Sequence, residues 1–178
     1  MNDLFYFGTG NLADAFLGLG SNVGDREAYL KVSREAVNKL KKTTIIRSSS
    51  IFETEPWGVK NQNPFLNQVI EIETALTPLE LFTACQNIEI KLKRRKTEKW
   101  GPREIDIDLL LYGNSIIDNK KIQIPHPRLS ERRFVLIPLS EIAPQLRVPG
   151  LGRSLQELLD ACPDRGAVKF YGDFHYQS

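Results

Sequence analysis

The chain has 178 residues, 41% hydrophobic and 26% charged, with a formal net charge of +2. That suits one soluble domain with a real core, and excludes a disordered chain. No apolar run reaches membrane-span length and no secretory leader pattern opens the sequence, so the expected compartment is the cytoplasm. Cys85 and Cys162 are the two cysteines, too few for a disulfide framework or a metal cluster, and fit free thiols in a reducing compartment.

Residues 1–13 read as an extension before a domain spanning 14–165. Residues 14–20 (DAFLGLG) read as a first strand ending at glycine. The stretch from Ser21 opens with cap-type residues, then places Tyr29, Val32, Ala36, Val37 and Leu40 at helical spacing. Residues 43–54 are β-branched and read as one strand. A Pro/Gly/Asn loop over 55–64 leads to a strand at 65–74 that pairs back on its predecessor. Thr77-Pro78 starts a second helix, striped by Leu81, Cys85, Ile88 and Leu92. A basic loop follows, then a strand over 105–111, a hairpin around Asp118-Asn119, and short helical pieces at 134–144 and 154–162. The tail, 166–178, carries no legible pattern. The order β-α-β-β-α-β predicts an α+β, ferredoxin-like sandwich with a C-terminal addition.

The strand IDIDLLL poses the functional question. Period two places Asp106 and Asp108 on one face and Ile105, Ile107 and Leu109 on the other. One reading is a half-exposed edge strand with solvated acids. Against it, Leu109 to Leu111 are apolar on both faces, which predicts a central strand. Two like charges at that spacing also repel. Between Lys91 and Arg103 there are seven basic residues and one acid, Glu98, a local excess that asks for an anionic ligand. A hard cation reconciles these features: Mg²⁺ is typically held by one or two carboxylates and substrate phosphates. Two such ions plus the basic loop would neutralise a triphosphate, the layout of phosphoryl-type transfer. The P-loop and kinase signatures are absent, and GTGNLA at 8–13 does not open a helix in a βαβ unit.

The blocks LGLGSNVGDR, FETEPWGVKNQNPFLNQV, QNIE, TEKWGPREIDIDLLLYG and IPHPRLSERRFVLIPLSEIAP occur in this order. Together they resemble the 6-hydroxymethyl-7,8-dihydropterin pyrophosphokinase family over about residues 14–160. The resemblance implies transfer of pyrophosphate from ATP to the pterin hydroxymethyl group, release of AMP, a role in folate biosynthesis and the use of two Mg²⁺ ions. It makes Asp106 and Asp108 the metal ligands. Phe65 and Phe134 would sandwich the pterin, Asn67 would read its edge, and Thr54, Pro56, Gly58 and Trp100 would complete that pocket. ATP would meet Gln86, Glu89, Arg94, Arg103, Leu109, His126 and Arg132, with Arg94 and Arg103 the catalytic cations. Trp57 and Trp100 would flank loops that close over the substrates. The chain departs from the family at Lys93-Arg94-Arg95-Lys96, where a Gly-Arg-x-Arg is common, so the phosphate contact stays open among Arg94, Arg95 and Lys96. The partners implied are small molecules, with dihydropteroate synthase or another folate enzyme as a protein partner.

Two rival readings exist. A non-catalytic pterin- or nucleotide-binding module on the same fold predicts binding without AMP release. An RNA-binding ferredoxin-like domain is suggested by KLKRRK beside Trp100. However, no RNP1-like aromatic strand is present, and without metal the two aspartates would repel phosphate, so no nucleic-acid partner is expected.

Overall fold

The computed structural model describes residues 12–58, 61–92 and 101–173. Eight strands and four α-helices follow one another as β1 (Ala13–Ser21), α1 (Arg26–Asn38), β2 (Thr43–Ser48), β3 (Ile51–Thr54), β4 (Phe65–Thr74), α2 (Pro78–Lys91), β5 (Asp106–Tyr112), β6 (Ile117–Asp118), β7 (Gln123–Ile124), α3 (Arg133–Ile142), α4 (Leu155–Ala161) and β8 (Val168–Gly172). A six-stranded antiparallel sheet has the order β5-β1-β4-β3-β8, with β2 also paired to β4. The hairpin β6–β7 stands apart, its turn closed by Asn119 Oδ1 accepting from the N–H groups of Lys121 and Ile122.

The helices start where the sequence supplies caps. Asp25, rather than the Ser21-Asn22 pair, caps α1 by accepting from Ala28 N–H. α2 opens on a reciprocal Thr77/Glu80 capping box with Pro78 in its first turn, and α4 on a Ser154/Glu157 box. Two cores result. Leu17, Leu19 and Ile107 pack with Leu30 and Val37 of α1 and Leu81, Cys85 and Ile88 of α2. Phe16, Val69, Leu110 and Leu111 pack with Val135, Leu136 and Leu139 of α3 and Leu155 and Leu158 of α4. The sheet is thus a middle layer between two helical pairs.

Three sequence expectations change. The single strand expected over 43–54 is two strands, because pairing to β4 breaks at Ser49-Ser50: β2 pairs with the far half of β4 and β3 with the near half. The tail is not featureless, since Val168–Gly172 pairs with β3 as the terminal strand at that end. Most consequentially, β5 is not central but ends the sheet. Its two-sided apolar run has another cause. Leu17 pairs with Leu109 and Phe16 with Leu111, leaving Leu110 as an extra residue in a bulge. Leu109 therefore joins one core while Leu110 and Leu111 both join the other. The outer edge of β5 is occupied without a further strand. Ile107 N–H donates to Glu89 Oε1 at 2.7 Å, and Leu110 C=O accepts from His126 N–H at 2.8 Å.

Candidate active site

β5 does present Asp106 and Asp108 on one face, that of α3. They line an open cleft of about 650 Å³ together with Thr54, Phe65, Asn67, Arg103, Arg132 and Phe134. Strands β1, β3, β4 and β5 all end at this cleft, so residues far apart in sequence meet there.

At one end stand the aromatic and amide groups. Asn67 and Thr54 are buried, and Asn67 Nδ2 donates to Thr54 Oγ1 at 2.7 Å. Asn67 lies across from Gly20 of β1, where a Cβ would come within 3.0 Å of Asn67 Oδ1. Glycine here gives the carboxamide its room. Phe65 and Phe134 are half-buried and line the same cleft.

At the other end the two carboxylates are held by arginines. Arg103 Nη1 donates to Asp106 Oδ2 at 2.6 Å, and Arg132 Nη1 to Asp108 Oδ2 at 2.9 Å. The Arg132 guanidinium also lies over the rings of Trp57 and Phe134, at 5.5 and 5.6 Å from their centroids, and Arg128 lies over Trp57 at 5.7 Å. Arg132 Nε is buried with no hydrogen-bond partner among the described residues. Burial in the cleft, and next the negative charge of Asp106, push the Asp108 carboxyl up to about 6, despite Arg132.

Asp108 also borders a second cavity, of about 560 Å³, on the other side of β5. Its walls include Leu109, Phe82, Lys120, Lys121 and His126. His126 Nε2 is 3.9 Å from Asp108 Oδ2, and its Nδ1 accepts from Arg128 N–H at 3.1 Å. Burial, then Arg132 and Arg128, hold the imidazole down at about 4. It is therefore neutral at physiological pH, and with Nδ1 accepting, Nε2 carries the proton.

The remaining expected residues lie as follows. Pro56 and Gly58 line an adjoining space, of about 820 Å³, together with Thr54 and Phe134. Glu89 is buried and carries the Ile107 bond, so it aligns β5 from behind, whereas Gln86, three residues earlier, is exposed. Arg94 and Trp100, with Arg95 and Lys96, lie outside the described residues.

The structure adds residues that the sequence reading passed over. Arg128 stacks on Trp57, which lines the cleft. Lys120 and Lys121 enter the second cavity from the hairpin turn. Asn22, 1% exposed, links three segments. Its Oδ1 accepts from Arg103 N–H at 2.8 Å, while its Nδ2 donates to Gln62 Oε1 at 3.0 Å and Asn63 C=O at 3.1 Å. It thereby ties the loop after β3 to the segment that carries Arg103 into β5. An asparagine after Gly-Ser reads as a turn residue, and no spacing rule exposes contacts 40, 41 and 81 residues away.

Comparison with known proteins gives one answer. A family profile described as 7,8-dihydro-6-hydroxymethylpterin-pyrophosphokinase matches residues 16–144. The 2-amino-4-hydroxy-6-hydroxymethyldihydropteridine pyrophosphokinase of Bacillus subtilis is 44% identical over 132 residues, covering 74% of this chain and 79% of that protein. The Aquifex aeolicus protein of the same name is 42% identical over 147 residues, covering 82% and 90%. The Schizosaccharomyces pombe folic acid synthesis protein fol1 is 39% identical over 160 residues, which are 90% of this chain but 22% of that one. Among solved structures, wild-type Plasmodium falciparum HPPK-DHPS superposes with a TM-score of 0.66 at 16% identity, over 85% of this chain and 42% of that chain. This chain therefore spans less than half of that two-part protein, and the likeness speaks for the fold alone. The sequence relatives and the profile decide the matter: the chain belongs to the 7,8-dihydro-6-hydroxymethylpterin pyrophosphokinase family.

Proposed function

We propose that this chain transfers a pyrophosphoryl group from ATP to the hydroxymethyl oxygen of 6-hydroxymethyl-7,8-dihydropterin, releasing AMP, as a step of folate biosynthesis. One observation carries the reading beyond family membership: two cavities of different character meet at Asp108. The first is lined by a buried carboxamide and two phenylalanines, which suits a flat ring with an amide-like edge. The second has lysines and a neutral imidazole donor, which suits a nucleotide's phosphates. Reaction between the two ligands would take place over the paired aspartates.

The donor set fits magnesium. Two carboxylates on one strand face offer hard oxygens, and substrate phosphates commonly complete such a Mg²⁺ shell. When bound there, two Mg²⁺ ions would neutralise the triphosphate and the charge that develops on transfer. The chain's own residues do the rest. Arg103 and Arg132 neutralise the aspartates while the nucleotide is absent. Once the carboxylates are otherwise engaged, both guanidiniums can turn to phosphate oxygens, and the unpartnered Nε of Arg132 gains an acceptor. His126 serves as a neutral donor. Asn67 and Thr54 fix the pterin edge, and Phe65 and Phe134 hold the ring so that its hydroxyl meets the β-phosphorus in line. We assign no side chain as general base. Trp57 lies on the loop after β3, where it would help to shut the cleft against water.

The path β1-α1-β2/β3-β4-α2-β5, with the order β5-β1-β4-β3, supports a ferredoxin-like sandwich in which β2 and β3 share one strand position. The two free, buried cysteines favour a cytoplasmic setting. The pairing of HPPK with DHPS in the Plasmodium falciparum chain favours dihydropteroate synthase as a functional partner.

The test is AMP release by the purified protein with ATP, Mg²⁺ and 6-hydroxymethyl-7,8-dihydropterin, against EDTA and no-pterin controls. Pterin-dependent, EDTA-sensitive AMP is the expected result. ADP in its place would mean single-phosphoryl transfer. Pterin binding without nucleotide turnover would turn the reading to a non-catalytic binding module.

A further inference from the structure

α3 starts without a cap of its own. Arg132 occupies the N-cap position and makes no side-chain hydrogen bond to the first turn, because a guanidinium has donors but no acceptor. The acceptor comes instead from 31 residues downstream: Arg133 N–H donates to Asp164 Oδ2 at 3.1 Å. The other carboxylate oxygen, Oδ1, accepts from Gly166 N–H at 2.9 Å. Asp164 is thus held by its own turn and sets a negative charge at the positive end of α3.

Two further facts make this more than a helix cap. The first turn of α3 carries Phe134, and Arg132 stands just before it; both line the cleft. Arg132 has other anchors, in Asp108 and in its stacking on Trp57. The chain beyond Asp164 runs directly into β8, where Val168 is registered against Thr54, the partner of Asn67. Residues 164–168 therefore reach both sides of the aromatic end of the cleft, Phe134 through α3 and Thr54 through β3. Asp164 is not among the residues lining the cleft; it borders the adjoining space that Thr54 and Phe134 share.

We propose that Asp164 is a positioning residue for the pterin end of the site, fixing the first turn of α3 so that Phe134 is in place before the pterin arrives. This rests on the pterin reading given above. Its effect falls on the pterin rather than the nucleotide, since Arg132 is also anchored from the nucleotide side.

The experiment measures KM for pterin and for ATP, with Tm, in the full chain as wild type, Asp164→Ala and Asp164→Asn. Loss of a helix cap is expected to raise the pterin KM of D164A about fivefold or more, with the ATP KM within about twofold of wild type. D164N keeps an oxygen acceptor and should recover most of the pterin KM. A D164A protein whose Tm falls while the ratio of the two KM values stays as in wild type would overturn the proposal, as would an unchanged pterin KM. A D164N protein as impaired as D164A would also overturn it. Wild-type protein without pterin-dependent AMP release would overturn the pyrophosphokinase reading and this inference with it, an outcome distinct from failure of the variants alone.

Discussion

Gly20→Ala is the sharpest test of how the aromatic end of the cleft is built. The strand backbone at Gly20 accepts any residue; the obstacle is the neighbour. The new methyl would sit 3.0 Å from Asn67 Oδ1 and 3.8 Å from Phe65 Cδ1. Asn67 cannot simply retreat, because its Nδ2 is already 2.7 Å from Thr54 Oγ1 on the next strand. It must give way by a few tenths of an ångström, which strains or breaks that buried bond, or the strands must part. Overpacking of this kind costs ~1–3 kcal/mol, and the lost hydrogen bond about 1 kcal/mol. For a chain of this size each kcal/mol lowers Tm by about 2–4 °C. On the proposed pterin assignment, the same displacement takes the carboxamide off the ring's edge, so calorimetry should show pterin affinity falling about tenfold or more, a 1.4 kcal/mol effect. ATP affinity should not change. Wild-type pterin binding by G20A, at unchanged Tm, would refute this account of the pocket floor.

Three other outcomes are expected. Asp108→Asn should lower pterin-dependent AMP release by ~10²–10³-fold, the scale of removing one electrostatic partner of the transferred group, and added Mg²⁺ should not restore it; near-normal turnover would remove Asp108 from the metal assignment. Because the Asp108 carboxyl is raised from an ordinary 3.8 to about 6, the folded protein retains a proton that the unfolded chain releases between these values. That group's contribution to stability therefore declines as pH rises through this window, while kcat/KM for ATP should rise through a pKa near 6. Both trends should be absent in Asp108→Asn, with His126 neutral throughout the upper part of the range. Asn22→Ala should cost about 1–3 kcal/mol in urea denaturation through the orphaned Arg103 N–H, and should raise KM for both substrates, because Asn22 joins loops from both ends of the cleft; a change confined to one substrate would contradict that role.

The paired aspartates were legible because strand period is rigid: two residues apart means one face. The same holds for α2, whose Thr77-Pro78…Glu80 start is a purely local signal. What escaped depends on long-range pairing. Leu109–Leu111 looks like a strand buried on both faces, and it is, but a bulge at Leu110 and helices over both faces produce this at the end of the sheet. Nothing in the string distinguishes that from a central strand. The break at Ser49-Ser50 depends on partners far along the chain: Ser49 Oγ accepts from Val69 N–H of β4, and Ser50 donates to Glu141. Asn22 acts over 40, 41 and 81 residues and Asp164 over 31, so their local context shows polar loop residues. The QNIE block places Glu89 on a helix face, but its bond to the Ile107 N–H depends on where β5 runs, which no local spacing shows.

The edge contacts of β5 also bear on association between molecules. An exposed strand edge invites another chain to add to it. At the end of the sheet that carries the aspartates, Glu89 and His126 already occupy backbone groups of β5 that a visiting strand would need. At the opposite end β8 is short, bears Lys169, and exposes Phe170 and Tyr171. The sheet thus has unlike ends. At the aspartate end the edge groups are taken by side chain and loop, whereas at the β8 end a short strand and Lys169 discourage added pairing.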